Sequence, residues 1–337
     1  MHVTIVHAAL TEKSSVDDLD VLAQVEAVTN ALNTLCHEVS VATCDVDLSD
    51  IQRRLRRLRP DLVFNLVETI SGHGRLIHLF PALLDVLSIP YTGSSTEALW
   101  MTSHKVIAKD RMSAAGLPTP PWIGPYPKTY PSFFGPKPDR KDCRPLAWIV
   151  KSLWEHASVG LNENRIIRGK TAEQIHEILQ ISASELGGAC FAEMFIDGRE
   201  FNIALIDGPK GPAVLPAAEI YFEGYEEDQP KIVCYRAKWE AESWEYSHTV
   251  RRFDDQAKDE SLIKQLSDMS LDCWRLFGIT GYARVDFRVD PEGKPTILEV
   301  NANPCLSPDA GFAAAAEHLG IPYSEMVQCI LNAAMAR

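Results

Sequence analysis

Apolar positions along this chain follow two periods, and the changes between them mark out its elements. Residues 3–7 make a short apolar run of strand length, and 20–35 carry apolar positions at helical spacing. The pair repeats, with strands at 39–43 and 62–66 and helices at 51–58 and 79–87. Strands alternating with helices predict a mostly parallel sheet with helices on both faces, whose carboxyl-end loops are the usual place for a ligand. A helix-like stretch at 96–115 runs into Gly116-Leu117-Pro118-Thr119-Pro120-Pro121, a cluster that punctuates the chain. Residues 125–145, rich in Pro, Lys and Asp, are expected to form a long exposed loop. A strand is expected at 147–152, a helix at 171–179, a strand at 189–194, several later β runs and a last helix at 323–335. The small residues of 311–316 read as helix packing.

The most informative stretch is 281–304, GYARVDFRVDPEGKPTILEVNANP. Two strand-like runs flank the turn-rich Pro291-Glu292-Gly293-Lys294. With those four as the loop, Asp290 opposes Pro295, Arg288 opposes Ile297, Asp286 opposes Glu299 and Arg284 opposes Asn301. Period-two alternation then puts Arg284, Asp286, Glu299 and Asn301 on one face. Carboxylates directly opposite each other repel, which a sheet tolerates poorly unless a cation lies between them. Oxygen ligands alone suit Mg²⁺ with phosphate oxygens completing its shell, and Arg284 would bind phosphate or a developing oxyanion. The other reading is a solvated, charged hairpin face. The adjoining Asn301-Ala302-Asn303-Pro304-Cys305 turn favours the first.

At 337 residues the chain suits two or three packed lobes, and 46% hydrophobic with 23% charged residues is ordinary for a soluble protein. A net charge of −13 argues against a nucleic-acid partner. The one basic run is Arg53, Arg54, Arg56, Arg57 and Arg59. Leu55 and Leu58 interleave it at helical spacing, so it reads as the solvated face of a helix ended by Pro60. No stretch is apolar and long enough for a membrane span, and no basic leader with an apolar centre opens the chain. The eight cysteines show no metal-ligand spacing and are expected to be free thiols in a reducing, cytoplasmic setting. The histidines, His156 among them, show no ligand or triad spacing and read as structural or surface residues.

The segment Leu298-Glu299-Val300-Asn301-Ala302-Asn303-Pro304-Cys305 resembles the metal-binding strand of the ATP-grasp superfamily, and of the D-alanine–D-alanine ligases in particular, which read leucine–glutamate–x–asparagine and then x-x-Pro-Gly. The resemblance runs along nearly the whole chain. It implies an α/β fold, α+β in the later lobes: an N-terminal parallel-sheet domain at 1–95, a central ATP-grasp lobe at 96–187 and a C-terminal lobe at 188–337. It implies that Asp286, Glu299 and Asn301 hold two Mg²⁺ ions, with Mn²⁺ as a substitute, on the phosphates of ATP. Arg284 would stabilise the transferring phosphoryl group and the tetrahedral intermediate. Lys105 in Thr102-Ser103-His104-Lys105 and Lys151 at the end of Trp148-Ile149-Val150 fall where the family places phosphate-binding lysines. Glu155-His156-Ala157-Ser158-Val159-Gly160 resembles the small-residue loop whose N–H groups cover the phosphates. Glu193, Met194 and Ile196 would hold the adenine and Glu200 the ribose. Lys238, in Ala237-Lys238-Trp239, would reach a phosphate from a lid. Cys305 stands at a family glycine, so its backbone N–H, not its sulfur, is expected in the oxyanion hole.

The substrate-side loops depart from the family. After the third strand the chain reads Asn65-Leu66-Val67-Glu68 and continues to Arg75, without the acidic Gly-rich run. Glu12 is the candidate for the family's amine-binding glutamate, with Glu68 beside it. Where the family has serine and leucine near the second carboxylate, this chain has Ser307-Pro308-Asp309-Ala310-Gly311. Asp309 would repel a carboxylate unless Arg75 or another cation offsets it. The resemblance implies an ATP-dependent carboxylate–amine ligase acting through an acyl-phosphate on amino acids, with small-molecule substrates and, by family habit, a homodimer. The other readings are a ligase coupling an amino acid to a different acid or amine, a phosphotransfer enzyme, and a non-catalytic nucleotide-binding module.

Overall fold

The computed structural model describes residues 1–12, 14–127, 146–253 and 258–337. Of the loop expected at 125–145, all but its first three residues lie outside that description, as does Cys143; the other seven cysteines are free thiols.

In the N-terminal unit, β1 (His2–Ala8) runs parallel between β2 (Glu38–Cys44) and β3 (Leu62–Leu66). Successive residues of a strand face opposite ways. Val3 and Ile5 therefore meet Val28 and Leu32 of α1 (Val16–Thr34), while Val6 meets Ile51 and Leu55 of α2 (Leu48–Leu58) and Leu84 of α3 (Leu79–Leu87). Helices cover both faces, as the periodicity predicts. The arginine run is solvated: Arg53 and Arg54 pair with Asp50 at 3.2 and 2.7 Å, and Arg59 ends α2 in the left-handed region. Helix α1 starts four residues before the apolar pattern begins. Asp18 reaches back to accept from the N–H and hydroxyl of Ser15, at 3.1 and 2.9 Å, which closes the first turn with acidic residues.

The single helix expected over 96–115 is two. α4 (Thr96–Ser103) and α5 (Lys105–Ala114) break at His104, whose extended backbone frees Nδ1 to accept from the N–H of Ile107 at 3.0 Å. The break puts Lys105 in the first turn of a new helix. Leu99, Ala108 and Met112 pack under the C-terminal sheet, while Val106 meets Trp122 and Phe191 of the central one, so these two helices join the two lobes.

The central sheet is antiparallel in the order β4 (Trp122–Tyr126), β7 (Cys190–Met194), β5 (Ala147–Ser152), β6 (Ile166–Arg168), and α6 (Ala172–Ser182) covers it with Ile175 and Leu179. A boundary at 187/188 therefore falls in the wrong place, because β7 is hydrogen-bonded between β4 and β5. Pro125 lies in β4, not in a loop.

The C-terminal sheet is built round the ten-residue β8 (Arg199–Gly208). Its order is β11 (Thr249–Arg252), β10 (Ala218–Phe222), β8, β12 (Tyr282–Val289), β13 (Pro295–Asn301), and β9 (Gly211–Val214) shares β8's edge with β10. The short helices α7 (Tyr235–Trp239) and α8 (Trp244–His248) lie between β10 and β11. One face packs on α9 (Glu260–Phe277); on the other, α10 (Gly311–His318) and α11 (Tyr323–Met335) join Ala204 and Ile206 to Val3, Ile5 and Val28. The N-terminal unit and the C-terminal lobe thus share one core. The small residues of 311–316 do pack as a helix, with Ala313, Ala315 and Ala316 buried.

The β12–β13 hairpin keeps the expected pairs Arg284 with Asn301 and Asp286 with Glu299. Below them the register shifts by one, so Phe287 meets Ile297, Arg288 meets Thr296 and Val289 meets Pro295, not the pairs the four-residue loop predicts. The physical reason is a bulge at Leu298. Ile297 and Val300 both enter the core, and a strict alternation cannot bury two residues three apart.

Candidate active site

A cleft enclosing about 850 Å³, open solvent at its mouth included, lies between the central and C-terminal sheets. Lys105, Lys151, Ser158, Glu193, Met194, Ile196, Glu200, Lys238, Asp286 and Glu299 all line it. Lys151 leaves β5 on the same side as Ile149, and Glu193 stands opposite Ile149 on β7. The Glu193 carboxylate is clamped by two ammonium groups, Lys151 at 2.5 Å and Lys109 at 2.6 Å. Burial would raise the Glu193 pKa, but the two lysines outweigh it and hold the group below the usual range. An adenine-binding role for this carboxylate must be shared with the lysines. Lys109, which sequence reading missed, also donates to Thr119 Oγ1 at 2.9 Å and to the Leu298 carbonyl at 3.3 Å. It lies one turn after Lys105 on a mostly buried helix, and that spacing was the available signal.

On the hairpin, Arg284 donates two hydrogen bonds to Asp286, at 2.7 and 2.8 Å, and Asn202 on β8 donates to Asp286 Oδ1 at 2.9 Å. Asn301 Oδ1 accepts from the N–H of Asn303 at 3.0 Å. Glu299 differs. Among the described residues no hydrogen bond or ion pair holds its carboxylate. Burial opposes its charge, yet Lys105, His156, Lys238 and Lys151 together pull its pKa far below the usual range. Among the described residues no three His, Cys, Asp or Glu side chains converge as a ready-made cage. The donor set nevertheless fits a hard divalent cation, with two facing carboxylates and an amide all offering oxygen and room for ligands brought by phosphate and water. Deeper in the cleft, Glu200 pairs with Arg288 on the neighbouring strand at 2.8 Å, and burial raises its pKa.

The small-residue loop is pinned from three sides. Lys105 Nζ donates to the Glu155 carbonyl at 2.7 Å, Trp239 Nε1 to the Ala157 carbonyl at 3.0 Å, and Ser158 Oγ to the Val233 carbonyl at 2.9 Å. The last two tie it to α7 and the segment before it, the expected lid. Burial lowers the pKa of Lys238 and of Lys105. Both are cations held in a desolvated place without a full set of counter-charges, an arrangement that favours anionic ligands.

On the far side of Arg284, the 304–307 loop is held by α1. Cys305 Sγ donates to Asp20 Oδ2 at 3.0 Å and Ser307 Oγ to the same atom at 2.9 Å, while Leu306 N–H donates to Gln24 Oε1 at 2.9 Å. Gln24 Nε2 in turn donates to Glu68 at 2.8 Å. Burial, with Glu68 and Asp20 nearby, pushes the Cys305 thiol well above its ordinary pKa, so the sulfur is a bound thiol and no nucleophile. Burial likewise pushes the Glu68 carboxyl up to about 7. Glu12 is exposed in the turn before α1, and the acid that meets the lid is Asp17, which accepts from Tyr235 Oη at 2.8 Å. Arg75 and Asp309 are both exposed, and the cation beside Asp309 is Arg251, which donates to its carbonyl at 3.1 Å. Asp17, Asp20, Gln24 and Arg251 were not legible in advance, because their partners lie far away in sequence.

The family model for the C-terminal part of D-Ala–D-Ala ligases matches residues 112–332. A D-alanine–D-alanine ligase of Gloeobacter violaceus is 30% identical over 315 residues, spanning 91% of each chain. The uncharacterized protein y4sG of Sinorhizobium fredii is 32% identical over 93% of this chain and 87% of its own length. Among solved structures, the D-alanine–D-alanine ligase of Bacillus anthracis complexed with ATP superposes with a TM-score of 0.72 at 20% identity, covering 100% of this chain and 98% of that one. Among the described residues no helix is long and apolar enough to cross a membrane. Matched over 112–332 by the family model and along nine-tenths of its length by a named ligase, the chain belongs to the D-alanine–D-alanine ligase family of ATP-grasp proteins.

Proposed function

We propose that this protein is an ATP-dependent ligase that joins two amino acids through an acyl-phosphate. The observation that carries the reading is the set of three lysines, Lys105, Lys151 and Lys238, brought from three separate elements to surround Glu299 in one cleft, with the Arg284 charge on the adjoining strand also acting on Glu299. Such a set suits a polyphosphate whose charge must be neutralised while one phosphoryl group moves. Asp286, Glu299 and Asn301 would hold one or two Mg²⁺ ions, with Mn²⁺ as a substitute, and the metal would supply charge neutralisation on the phosphate oxygens. Met194, Ile196 and Glu200 are assigned to the adenine and ribose end, and Glu193 to orienting Lys151.

A carboxylate is a poor electrophile. Transfer of the terminal phosphoryl group from ATP converts it to an acyl-phosphate and releases ADP. An amine then adds to the carbonyl, and the tetrahedral adduct expels inorganic phosphate. Arg284 and the Cys305 N–H are assigned to stabilising the oxyanion, and no covalent enzyme intermediate is needed. The lid from 235 to 239 excludes water from the acyl-phosphate. Asp17, on the acceptor side, takes the amine-binding role first expected of Glu12.

The test is ADP release with Mg²⁺ and ATP against D- and L-amino acids, singly and in pairs, with mass spectrometry of the products. Amine-dependent ADP release with a dipeptide product is the expected result. ADP release independent of any amine would replace the ligase with a phosphotransfer enzyme, and no release from any pair would sink the proposal.

A further inference from the structure

His156 lines the cleft, the mechanism above does not use it, and it is poorly explained as a structural residue. The residue as a whole is half-buried, but both ring nitrogens are shut off from water and neither has a hydrogen-bond partner. Leaving a buried polar group unpaired costs about 1–3 kcal/mol, so native proteins rarely keep one without a use. The residue lies at the border of two spaces and contributes to the lining of both. One is the large cleft, with Lys105, Lys238 and Glu299; the other is a smaller chamber lined by Glu68, Asn301 and Asn303. The two residues that follow, Ala157 and Ser158, take φ values of 60° and 61°, a left-handed conformation that is uncommon outside glycine. The loop thus carries backbone strain and an unsatisfied imidazole together, and both sit where the reacting groups would meet.

Resting on the ligase reading, we propose that His156 is a further catalytic residue, whose ring donates a hydrogen bond to the phosphoryl group as it passes from ATP to the carboxylate. The choice of ligand follows from the inventory of donors and acceptors. Burial, reinforced by Lys105, pushes this imidazole down to about 4, so at neutral pH it carries one N–H and one lone pair. Phosphoryl oxygens only accept, and the terminal phosphoryl group is the part of the nucleotide that must come to rest among Lys105, Lys238, Arg284 and Glu299. The N–H is therefore the side that meets it. The lone pair on the other nitrogen is left for the smaller chamber, where it can accept from the amide of Asn301 or Asn303 or from the incoming amine. A donor at the border of the two spaces orders the acyl-phosphate as it forms, with a directional hydrogen bond that an ammonium point charge does not supply.

The direct test follows the ring nitrogens of His156 by ¹⁵N NMR in the full-length protein, assigned by comparison with His156→Asn. Addition of Mg²⁺ with the non-hydrolysable AMP-PNP is expected to move the His156 signals, and Mg²⁺ with ADP is expected to leave them near the free position. Calorimetry reports independently whether each nucleotide binds. AMP-PNP binding that leaves the ring signals in place, or equal shifts with ADP and AMP-PNP, overturns the proposal. Failure of either nucleotide to bind overturns the ligase reading and this inference with it. In turnover, His156→Ala is expected to lower kcat by about tenfold to a hundredfold with the KM for ATP nearly unchanged, while His156→Asn or His156→Gln restores part of the loss by returning an N–H. A kcat for His156→Ala equal to that of the wild type also overturns it.

Discussion

The two sides of Arg284 are built on opposite principles. On the proposed nucleotide side, Lys105, Lys151 and Lys238 converge on a Glu299 carboxylate that none of them touches, and the His156 ring nitrogens make no hydrogen bond. On the acceptor side the polar groups satisfy one another: Asp20 takes Cys305 and Ser307, Gln24 takes Leu306 and Glu68, and Asp17 takes Tyr235. An unsatisfied set of charges is expensive without a ligand and strong with one, whereas a closed network holds its shape in either state. The first side is thus arranged for an arriving polyanion, and the second to keep the oxyanion loop rigid against α1. The contrast parallels the sequence resemblance, in which the motifs of the proposed nucleotide side match the family and the substrate-side loops depart from it. Charge demand on phosphate is general, but a self-satisfied network can be rebuilt with other residues.

The contrast can be broken at its centre first. Glu299→Gln and Arg284→Ala should each lower turnover by about a thousandfold or more while thermal unfolding shifts little. Near-normal kcat in either would remove these residues from the chemistry. Next in size, Lys151→Ala should weaken ATP binding by about tenfold to a hundredfold, read by calorimetry. Unchanged affinity would mean that the lysine serves only Glu193. Asp20→Ala should lower kcat by about tenfold while ATP affinity stays within about twofold, because it frees Cys305 and Ser307 without touching the cleft. A loss of ATP affinity in that variant would show that the two sides are not separable.

The smallest effect expected is on stability and depends on pH. The folded-state pKa of Glu68 is raised to about 7, so between its ordinary value and 7 the folded protein binds the proton that the unfolded chain has released. Its contribution is therefore neutral in acid, and it destabilises progressively as pH rises through that window, by no more than about 3 kcal/mol and less where water screens it. Glu68→Gln should raise the Tm at pH 8 and leave it unchanged at pH 4. A gain at pH 4 as large as that at pH 8 would mean that packing, not ionisation, limits this site.

How far the site could be read in advance varied with the span of chain involved. Asp286 and Glu299 were paired correctly, since one turn and two alternating strands lie within a single stretch of sequence. Lys105 and Lys151 were placed by resemblance, and the structure brings both to the cleft. Lys109 was overlooked although it stands one helical turn from Lys105. Asp17 stays hidden in the sequence because the apolar pattern alone delays the start of α1 and conceals the Ser15–Asp18 cap. His156 reads from the sequence as a structural or surface residue, since its environment is assembled from α5, the lid and the β12–β13 hairpin, none of which adjoins it in sequence.

Local order along this chain, the strand–helix alternation and the charged hairpin face, was determined by the sequence itself, because period and turn chemistry act over a few residues. Tertiary structure alone decided the break at His104, the bulge at Leu298 and the Asp20–Cys305 contact across 285 residues. Each of these answers to a surface that exists only once distant elements have packed: the underside of the C-terminal sheet, the core that claims both Ile297 and Val300, and the shared core that seats α1 against the oxyanion loop.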